Sequence, residues 1–65
     1  MYRIAKRAIK ESGLKQSDVA KEMGITYTTL NRKLNGYVPI TLDEAVWLKL
    51  AIGSTKPLEE LFAEG

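Results

Sequence analysis

Apolar residues recur along the chain at intervals of three and four, which is the spacing that gives a helix one buried side. In residues 2–12 this pattern predicts a first helix that ends at Gly13. The side chains expected on its buried face are Ile4, Ala5, Ala8 and Ile9. The β-branched cluster ITYTT at residues 25–29 lacks the alternation of a strand and sits between two helical patterns. The pattern therefore predicts an all-α chain.

Two short helices are predicted on either side of Gly24. The first covers about residues 17–23, with Gln16 or Ser17 able to cap its start. The second starts at Thr26, whose hydroxyl can accept a first-turn amide, and ends at an Asn-Gly pair. Isolated helices below roughly 12–15 residues are marginal in water, so these two must pack on each other. Glycine accepts the positive φ that a sharp turn between them requires.

Two further helices are predicted in the second half of the chain. The segment TLDE at residues 41–44 has the form of a capping box and opens a fourth helix that lasts to about Ile52. A fifth, short helix is predicted around Pro57, because proline suits a first turn and the two glutamates that follow complement the helix dipole. We therefore expect a single domain over residues 1–65, with five helices and short connections.

The third predicted helix has two different sides. With Leu30 and Leu34 turned inward, a period of 3.6 residues directs four other side chains outward. They are Tyr27, Thr28, Asn31 and Arg32. Thr, Tyr and Asn are mediocre helix formers, so a helix that only faces solvent would more often use Glu, Lys, Gln or Ala. Side chains of these types instead bind base edges or contact a thymine methyl group, and arginine binds guanine with two parallel hydrogen bonds.

The fourth predicted helix is too apolar for a single buried stripe. Ala45, Leu48 and Ile52 are expected to face the core. Three further apolar side chains then project from other sides, namely Val46, Trp47 and Leu50. Apolar residues left on a surface usually mark association, so these three are predicted to form a subunit interface. The alternative is that Trp47 packs under the first or fifth helix as part of a larger core.

The composition argues against enzyme chemistry. The chain has no cysteine and no histidine, which removes disulfides, thiol nucleophiles, imidazole bases and the usual zinc ligands. A chain of 65 residues also has little interior in which the pKa of a catalytic carboxylate or lysine could be shifted. We therefore expect no enzyme, no metal, no cofactor and no small-molecule effector. No apolar run approaches the roughly 18 residues of a membrane span.

Positive charge is concentrated in the first half of the chain. Residues 1–36 hold eight basic and three acidic side chains, for a balance of +5, whereas residues 37–65 hold two basic and five acidic ones, for −3. A polyanion is the natural partner of such a positive end. The alternative is ordinary solvated charge on helix surfaces. That alternative is favoured for the bases of the first helix, which are Arg3, Lys6, Arg7 and Lys10.

Two stretches of the chain carry a family resemblance. GLKQSDVAKEMGITYTTLNRKLNG, at residues 13–36, resembles the helix-turn-helix motif of the phage Cro and repressor family, also called the XRE family. VPITLDEAVWLKLAIGSTKPLEELF, at residues 38–62, resembles the two helices that follow the motif. The resemblance implies a compact five-helix, lambda-repressor-like DNA-binding domain with its helix-turn-helix at about residues 16–35. In that family the first motif helix lies across the DNA backbone and the second enters the major groove.

Carried over by position, the resemblance implies a set of DNA contacts. The residues expected to face base edges are Thr26, Tyr27, Thr28 and Arg32, to which the outward-facing Asn31 is added. The residues expected to contact phosphates are Gln16, Lys15, Lys33, Asn35 and Tyr37. Many family members have an apolar residue where this chain has Lys33, and Leu34 is expected to take over the packing role. Tyr27 has an alternative position, folded over Ile25 as part of the core.

The sequence thus predicts a sequence-specific DNA-binding protein, most like a Cro-type or prophage-type transcriptional repressor. It is expected to bind a palindromic double-stranded operator as a homodimer, at least on DNA. Its expected location is the cytoplasm of a bacterial or phage-infected cell, in association with the nucleoid. The main alternative is a protein-interaction module, antitoxin-like or an assembly domain, that uses the same helices. RNA binding is less favoured, because the exposed helix offers one aromatic side chain and no stacking platform.

Overall fold

The computed structural model describes residues 1–64, which form five α-helices. They are α1 (Arg3–Glu11), α2 (Gln16–Glu22), α3 (Tyr27–Leu34), α4 (Leu42–Ile52) and α5 (Leu58–Leu61). No strand occurs in the described residues, and the predicted all-α architecture of five helices is confirmed. None of these helices is long and apolar enough to cross a lipid bilayer.

The hydrophobic core lies where all five helices meet. Its largest fully buried side chains come from α2, α3, α4 and α5, namely Val19, Leu30, Leu34, Leu48 and Leu61. From α1 the core receives Ala5, Ala8 and Ile9. The predicted inner faces of the first and third helices are therefore confirmed, with Ile4 half-buried at the edge of the core. Small side chains on α1 allow its backbone to approach the other helices closely.

A sharp turn at Gly24 joins α2 to α3. The φ angle of Gly24 is +74°, a conformation that glycine adopts at little cost. The amide of Ile25 donates to the Ala20 carbonyl at 3.0 Å, which satisfies a carbonyl at the end of α2. The predicted cap of α3 is confirmed, because Thr26 Oγ1 accepts the Thr29 amide at 3.1 Å. The turn therefore places α3 against α2 and gives its Thr29 amide a side-chain partner.

The start of α2 differs from the prediction. Lys15 is the N-cap residue and no side chain caps the helix, so neither Gln16 nor Ser17 has the predicted capping role. Gln16 is instead the first residue of the helix, and its Nε2 donates to Asn31 Oδ1 at 3.4 Å. The side chains that cap well are shorter than glutamine. The longer side chain has formed a contact between helices in place of a local cap.

The predicted capping box opens α4. Thr41 Oγ1 accepts the Glu44 amide at 3.1 Å, and Glu44 Oε1 accepts the Thr41 amide at 2.9 Å. Ala45 and Leu48 are buried, as predicted, and Ile52 packs at the edge of the core. The cap fixes where the first turn of α4 begins, and therefore which of its side chains face the core.

Tyr2, which precedes α1, connects two distant helices. Its amide donates to the Leu34 carbonyl at 2.9 Å, in the last turn of α3. Its ring packs edge-on against Phe62, just after α5, with ring centroids 5.6 Å apart. Because α5 has only four residues, it cannot be stable alone and depends on such packing.

Candidate nucleic-acid interface

The outer side of α3 is polar and open to solvent. Thr28 and Arg32 are exposed and lie one helical turn apart, and Tyr27 exposes 52% of its surface. Tyr27 is not among the side chains packed on the core, in contrast to its alternative position. Within residues 1–64 no carboxylate pairs with the Arg32 guanidinium. This face therefore presents a guanidinium group and hydroxyl groups that are accessible to a ligand.

Asn31 is only half-buried and lies beside the start of α2. Its Oδ1 accepts the Gln16 Nε2 at 3.4 Å, which is a long hydrogen bond. After this contact Gln16 Nε2 still has one N–H group that can donate. Asn31 Nδ2 still has both of its N–H groups. The structure thus brings together a residue expected to contact a phosphate and one expected to contact a base.

Thr26 is exposed, but its hydroxyl is engaged within the protein. Its Oγ1 accepts the Thr29 amide as the cap of α3 and donates to Thr29 Oγ1 at 2.9 Å. A hydroxyl with two internal partners has little capacity left for a base edge. Thr26 therefore caps α3, a structural role that is separate from the predicted base contact.

The segment after α3 holds Asn35 in a fixed orientation. Asn35 Oδ1 accepts Lys6 Nζ at 2.6 Å, which leaves the Asn35 Nδ2 as a donor. Tyr37 is 80% exposed, and its amide donates to the Arg32 carbonyl at 3.0 Å. Lys6 was expected to be a solvated base, but it is half-buried and bonded to Asn35. No sequence pattern indicates this contact, because the two residues are 29 positions apart.

Lys33 lies elsewhere than its predicted role requires. The residue is 8% exposed, and its Nζ donates to the Pro39 carbonyl at 3.1 Å and lies 3.0 Å from Glu44 Oε1. A phosphate contact needs an ammonium group that reaches solvent, so this expectation is wrong for the structure described. The physical reason is position, since Lys33 follows Leu30 by three residues and shares the inner side of α3. A lysine is expected on the surface unless a buried partner is known, and for that reason its burial was not predicted.

Glu44 is the acidic partner of Lys33 and remains a carboxylate. The backbone hydrogen bond from Thr41 is the largest influence and lowers the pKa of Glu44 below its ordinary value of 4.5. Partial burial acts in the opposite direction and raises the pKa, while the hydrogen bond and charge of Lys33 lower it further. At neutral pH Glu44 therefore carries its negative charge beside Lys33.

An apolar stripe runs along the outer side of α4. We give this name to four side chains, Leu42, Val46, Trp47 and Leu50. Leu42 and Leu50 are each 72% exposed, Trp47 is 49% exposed and Val46 is half-buried. Trp47 therefore does not lie under the first or fifth helix, and with Leu50 it borders a shallow groove beside α2. Leu42 was not among the predicted interface residues, although a spacing of four residues before Val46 places both on one side of the helix.

Comparison with known protein families identifies a helix-turn-helix domain. A model of the helix-turn-helix family matches residues 6–51, which run from within α1 to the last turn of α4. No curated protein and no solved structure matches the chain. The matched residues include α2, α3 and the turn between them.

Proposed function

The chain belongs to the XRE-type helix-turn-helix family, and from this premise we propose that it is a Cro-like transcriptional repressor that binds a palindromic operator as a homodimer. Sequence-specific binding of double-stranded DNA follows from the family itself. The observation that carries the finer proposal is the presence of two different exposed surfaces, the polar side of α3 and the apolar stripe of α4. The first suits base edges, and the second suits another copy of the chain.

In this proposal α3 is the recognition helix and inserts its outer side into the major groove. The exposed guanidinium of Arg32 is available for two parallel hydrogen bonds to a guanine. Thr28 and Tyr27 lie nearer the start of the helix, where their hydroxyls and the threonine methyl suit an adenine–thymine pair. Asn31 and Thr26 complete the proposed set, with part of their bonding capacity used inside the protein.

Phosphate contacts are proposed at both ends of the recognition helix. Lys15 supplies an exposed positive charge and Gln16 an amide donor at the start of α2. Asn35 and Tyr37 lie beyond the other end of α3 and supply an amide and a hydroxyl. Lys33 is left out because its ammonium group is buried. Contacts of this kind fix the register of a protein on DNA, while base contacts determine the sequence.

The size of the protein supports a dimer on DNA. One copy extends 24 Å along its longest axis. Half-sites bound by helix-turn-helix dimers are centred one helical turn apart, about 34–36 Å. A single copy is therefore too small to place recognition groups in two successive turns of the major groove. Pairing through the apolar stripe of α4 would supply the second recognition helix and cover exposed leucines.

Repression would result from occupancy of the operator. A dimer bound across a promoter blocks access of the transcription machinery to the same base pairs, and this needs no catalytic group. Association with the nucleoid in the cytoplasm of a bacterial or phage-infected cell follows from such a role.

Selection of bound sequences from a random DNA pool tests the proposal most directly. We expect an inverted repeat whose half-sites are separated by about 10–10.5 base pairs from centre to centre. Sedimentation of the purified complex should give two copies of the chain per selected duplex. Enrichment of a single unpaired half-site, with one copy bound, would contradict the dimer. Selected sequences that share no common motif would contradict specific operator recognition.

Salt dependence tests the contact with DNA itself. The logarithm of the affinity should fall with the logarithm of salt concentration, with a slope of about −0.9 for each phosphate neutralised. A flat response would favour the protein-interaction module over a DNA-binding role.

A further inference from the structure

A buried ion pair connects the recognition helix to α4. Lys33 Nζ lies 3.0 Å from Glu44 Oε1, and the two side chains are only 10% and 14% exposed. The other ion pair in the described part of the chain, Lys56–Glu60, is 4.0 Å long and its side chains are 43% and 53% exposed. The two pairs therefore differ, since an exposed pair is screened by water and salt and a largely buried pair is screened much less.

The buried pair joins three segments of the chain. Lys33 lies in the last turn of α3, and its Nζ also donates to the Pro39 carbonyl at 3.1 Å in the connecting loop. Glu44 lies in the first turn of α4, and its Oε1 also accepts the Thr41 amide at 2.9 Å. We call these four residues, Lys33, Pro39, Thr41 and Glu44, the α3–α4 joint. Lys33 Nζ and Glu44 Oε1 each have two partners, and in each case the two partners lie on different segments.

An ion pair is an unusual choice for packing alone. Burying two charges removes water from both, and the attraction between them often only offsets that loss, so an apolar pair of similar volume would serve stability as well. Directional hydrogen bonds differ from apolar contacts in one respect, because they fix the relative position of the groups they connect. The joint therefore restricts how α4 can shift against α3.

The two helices connected by the joint carry the two surfaces of the proposed dimer. α3 holds the base-contacting side chains, and α4 holds the apolar stripe that would meet the second copy. The position of α4 against α3 then determines where the partner's recognition helix lies relative to the first. Resting on the proposed function, we propose that Lys33 is a positioning residue, which through Glu44 sets the half-site spacing that the dimer accepts.

The geometry of DNA makes this proposal testable. Adding one base pair between half-sites moves them apart by about 3.4 Å and rotates one against the other by about 35°. A dimer with a fixed joint cannot follow this change without losing contacts in one half-site. A dimer with a loosened joint can follow it, so its penalty for a wrongly spaced operator is smaller.

The experiment compares full-length variants on a series of duplexes. The duplexes carry the inverted repeat selected from the random pool, with the central spacer unchanged, one base pair longer or one base pair shorter, together with a single half-site. Lys33→Met replaces the ammonium group with an apolar end of similar length. Lys56→Met is the matched control, because it removes one positive charge and one exposed ion pair far from the joint in sequence. The quantity measured is the ratio of affinities for correctly and wrongly spaced operators.

We expect Lys33→Met to lower this ratio by at least about fivefold, the lower end of typical coupling between sites. Lys56→Met should leave the ratio unchanged. A role in stability alone would weaken binding to every spacer alike and would not move the ratio. An unchanged ratio in Lys33→Met, with wild-type protein that discriminates between spacers, overturns the inference and leaves the proposed dimer intact. Wild-type protein that binds all spacers equally overturns the dimer and this inference with it.

Two further variants keep the test decisive if Lys33→Met does not fold. Glu44→Gln retains an acceptor for the Thr41 amide but removes the charge that pairs with Lys33. The double variant Lys33→Met/Glu44→Gln leaves no unpaired charge in the joint. Both should show the same loss of spacing discrimination, and a folded double variant with wild-type discrimination overturns the inference.

Discussion

α3 and α4 are consecutive helices, but the outer surface of α3 is polar and the outer surface of α4 is apolar. The outside of α3 carries hydroxyls, an amide and a guanidinium, although threonine, tyrosine and asparagine weaken a helix compared with lysine or glutamate. The outside of α4 carries leucines that are 72% exposed and a half-exposed tryptophan. Neither surface is what a helix needs for its own stability. Each departure indicates the type of partner, since polar groups with open hydrogen bonds suit bases and exposed apolar groups suit protein.

The largest expected difference between the two helices is in stability. Leu30→Ala on α3 removes a side chain that is 0% exposed and should lower the free energy of unfolding by about 2–5 kcal/mol, because it leaves a cavity. Leu50→Ala on α4 deletes the same atoms from a residue that is 72% exposed and should change it by less than about 0.5 kcal/mol in the monomer. Denaturant unfolding at low protein concentration measures both. Equal losses would show that Leu50 is packed as tightly as Leu30.

Two half-exposed aromatic side chains, one on α4 and one on α3, are expected to contribute to different kinds of binding. Trp47→Ala on α4, where the tryptophan is 49% exposed, should weaken self-association by about 2 kcal/mol if Trp47 is a central contact of the dimer. Tyr27→Ala on α3, where the tyrosine is 52% exposed, should leave self-association unchanged and weaken DNA binding. Sedimentation measures the first effect, and circular dichroism checks that both variants stay helical. A Trp47→Ala chain that unfolds would show that Trp47 supports the core.

Within the proposed interface, base and phosphate contacts should separate. Arg32→Ala should weaken binding to the selected operator by about 1–3 kcal/mol and relax the preference at one base pair of each half-site. Lys15→Ala should weaken binding to all DNA sequences about equally. It should also make the log-log slope of affinity against salt shallower by about one unit per subunit. Titrations on selected and random duplexes at several salt concentrations distinguish the two. If Arg32→Ala weakens binding to every DNA sequence equally, Arg32 contacts a phosphate and not a base.

The smallest expected effect concerns the connection between the two helices at low pH. The pKa of Glu44 is lower in the folded chain than its ordinary value of 4.5, so the unfolded chain binds the proton more readily. The stability that Glu44 contributes is therefore complete above the ordinary value and is lost as pH falls through it and below. Unfolding measured between about pH 6 and pH 3 should show a decline that is flatter in Glu44→Gln than in wild type. Asp43→Asn, which removes a neighbouring exposed carboxylate, is the control for the loss of one negative charge.

Local signals in the sequence were sufficient for most of the fold. The cap at Thr26, the capping box of Thr41 and Glu44, and the turn at Gly24 each involve residues at most three positions apart or a single φ angle. Such features are determined by neighbours along the chain, so a sequence pattern can identify them. α2 starts one residue earlier than predicted, and the Gln16 side chain contacts Asn31 of α3 instead of capping its own helix.

The parts of the candidate site that the sequence did not predict depend on contacts between distant residues. Lys33 is buried because Glu44 and the Pro39 carbonyl are present to receive its charge, and these come from the next loop and helix. Lys6 is held by Asn35, which is 29 positions away. A charged residue is assigned to the surface by default unless its partner is known. The base-contacting residues themselves remain predictions, since exposure permits their role without demonstrating it.

The contacts of Tyr2 have a consequence for the lifetime of the protein. The Tyr2 amide donates a hydrogen bond to the last turn of α3 and its ring packs on Phe62, so residues on both sides of the helix-turn-helix support α3. Helices of four to eleven residues do not persist once these contacts are lost, and proteolysis acts on the chain when they open. Bound DNA stabilises only the folded form, by about 2.7 kcal/mol when its concentration is 100 times the dissociation constant. We therefore expect copies bound to DNA to be degraded more slowly than free copies.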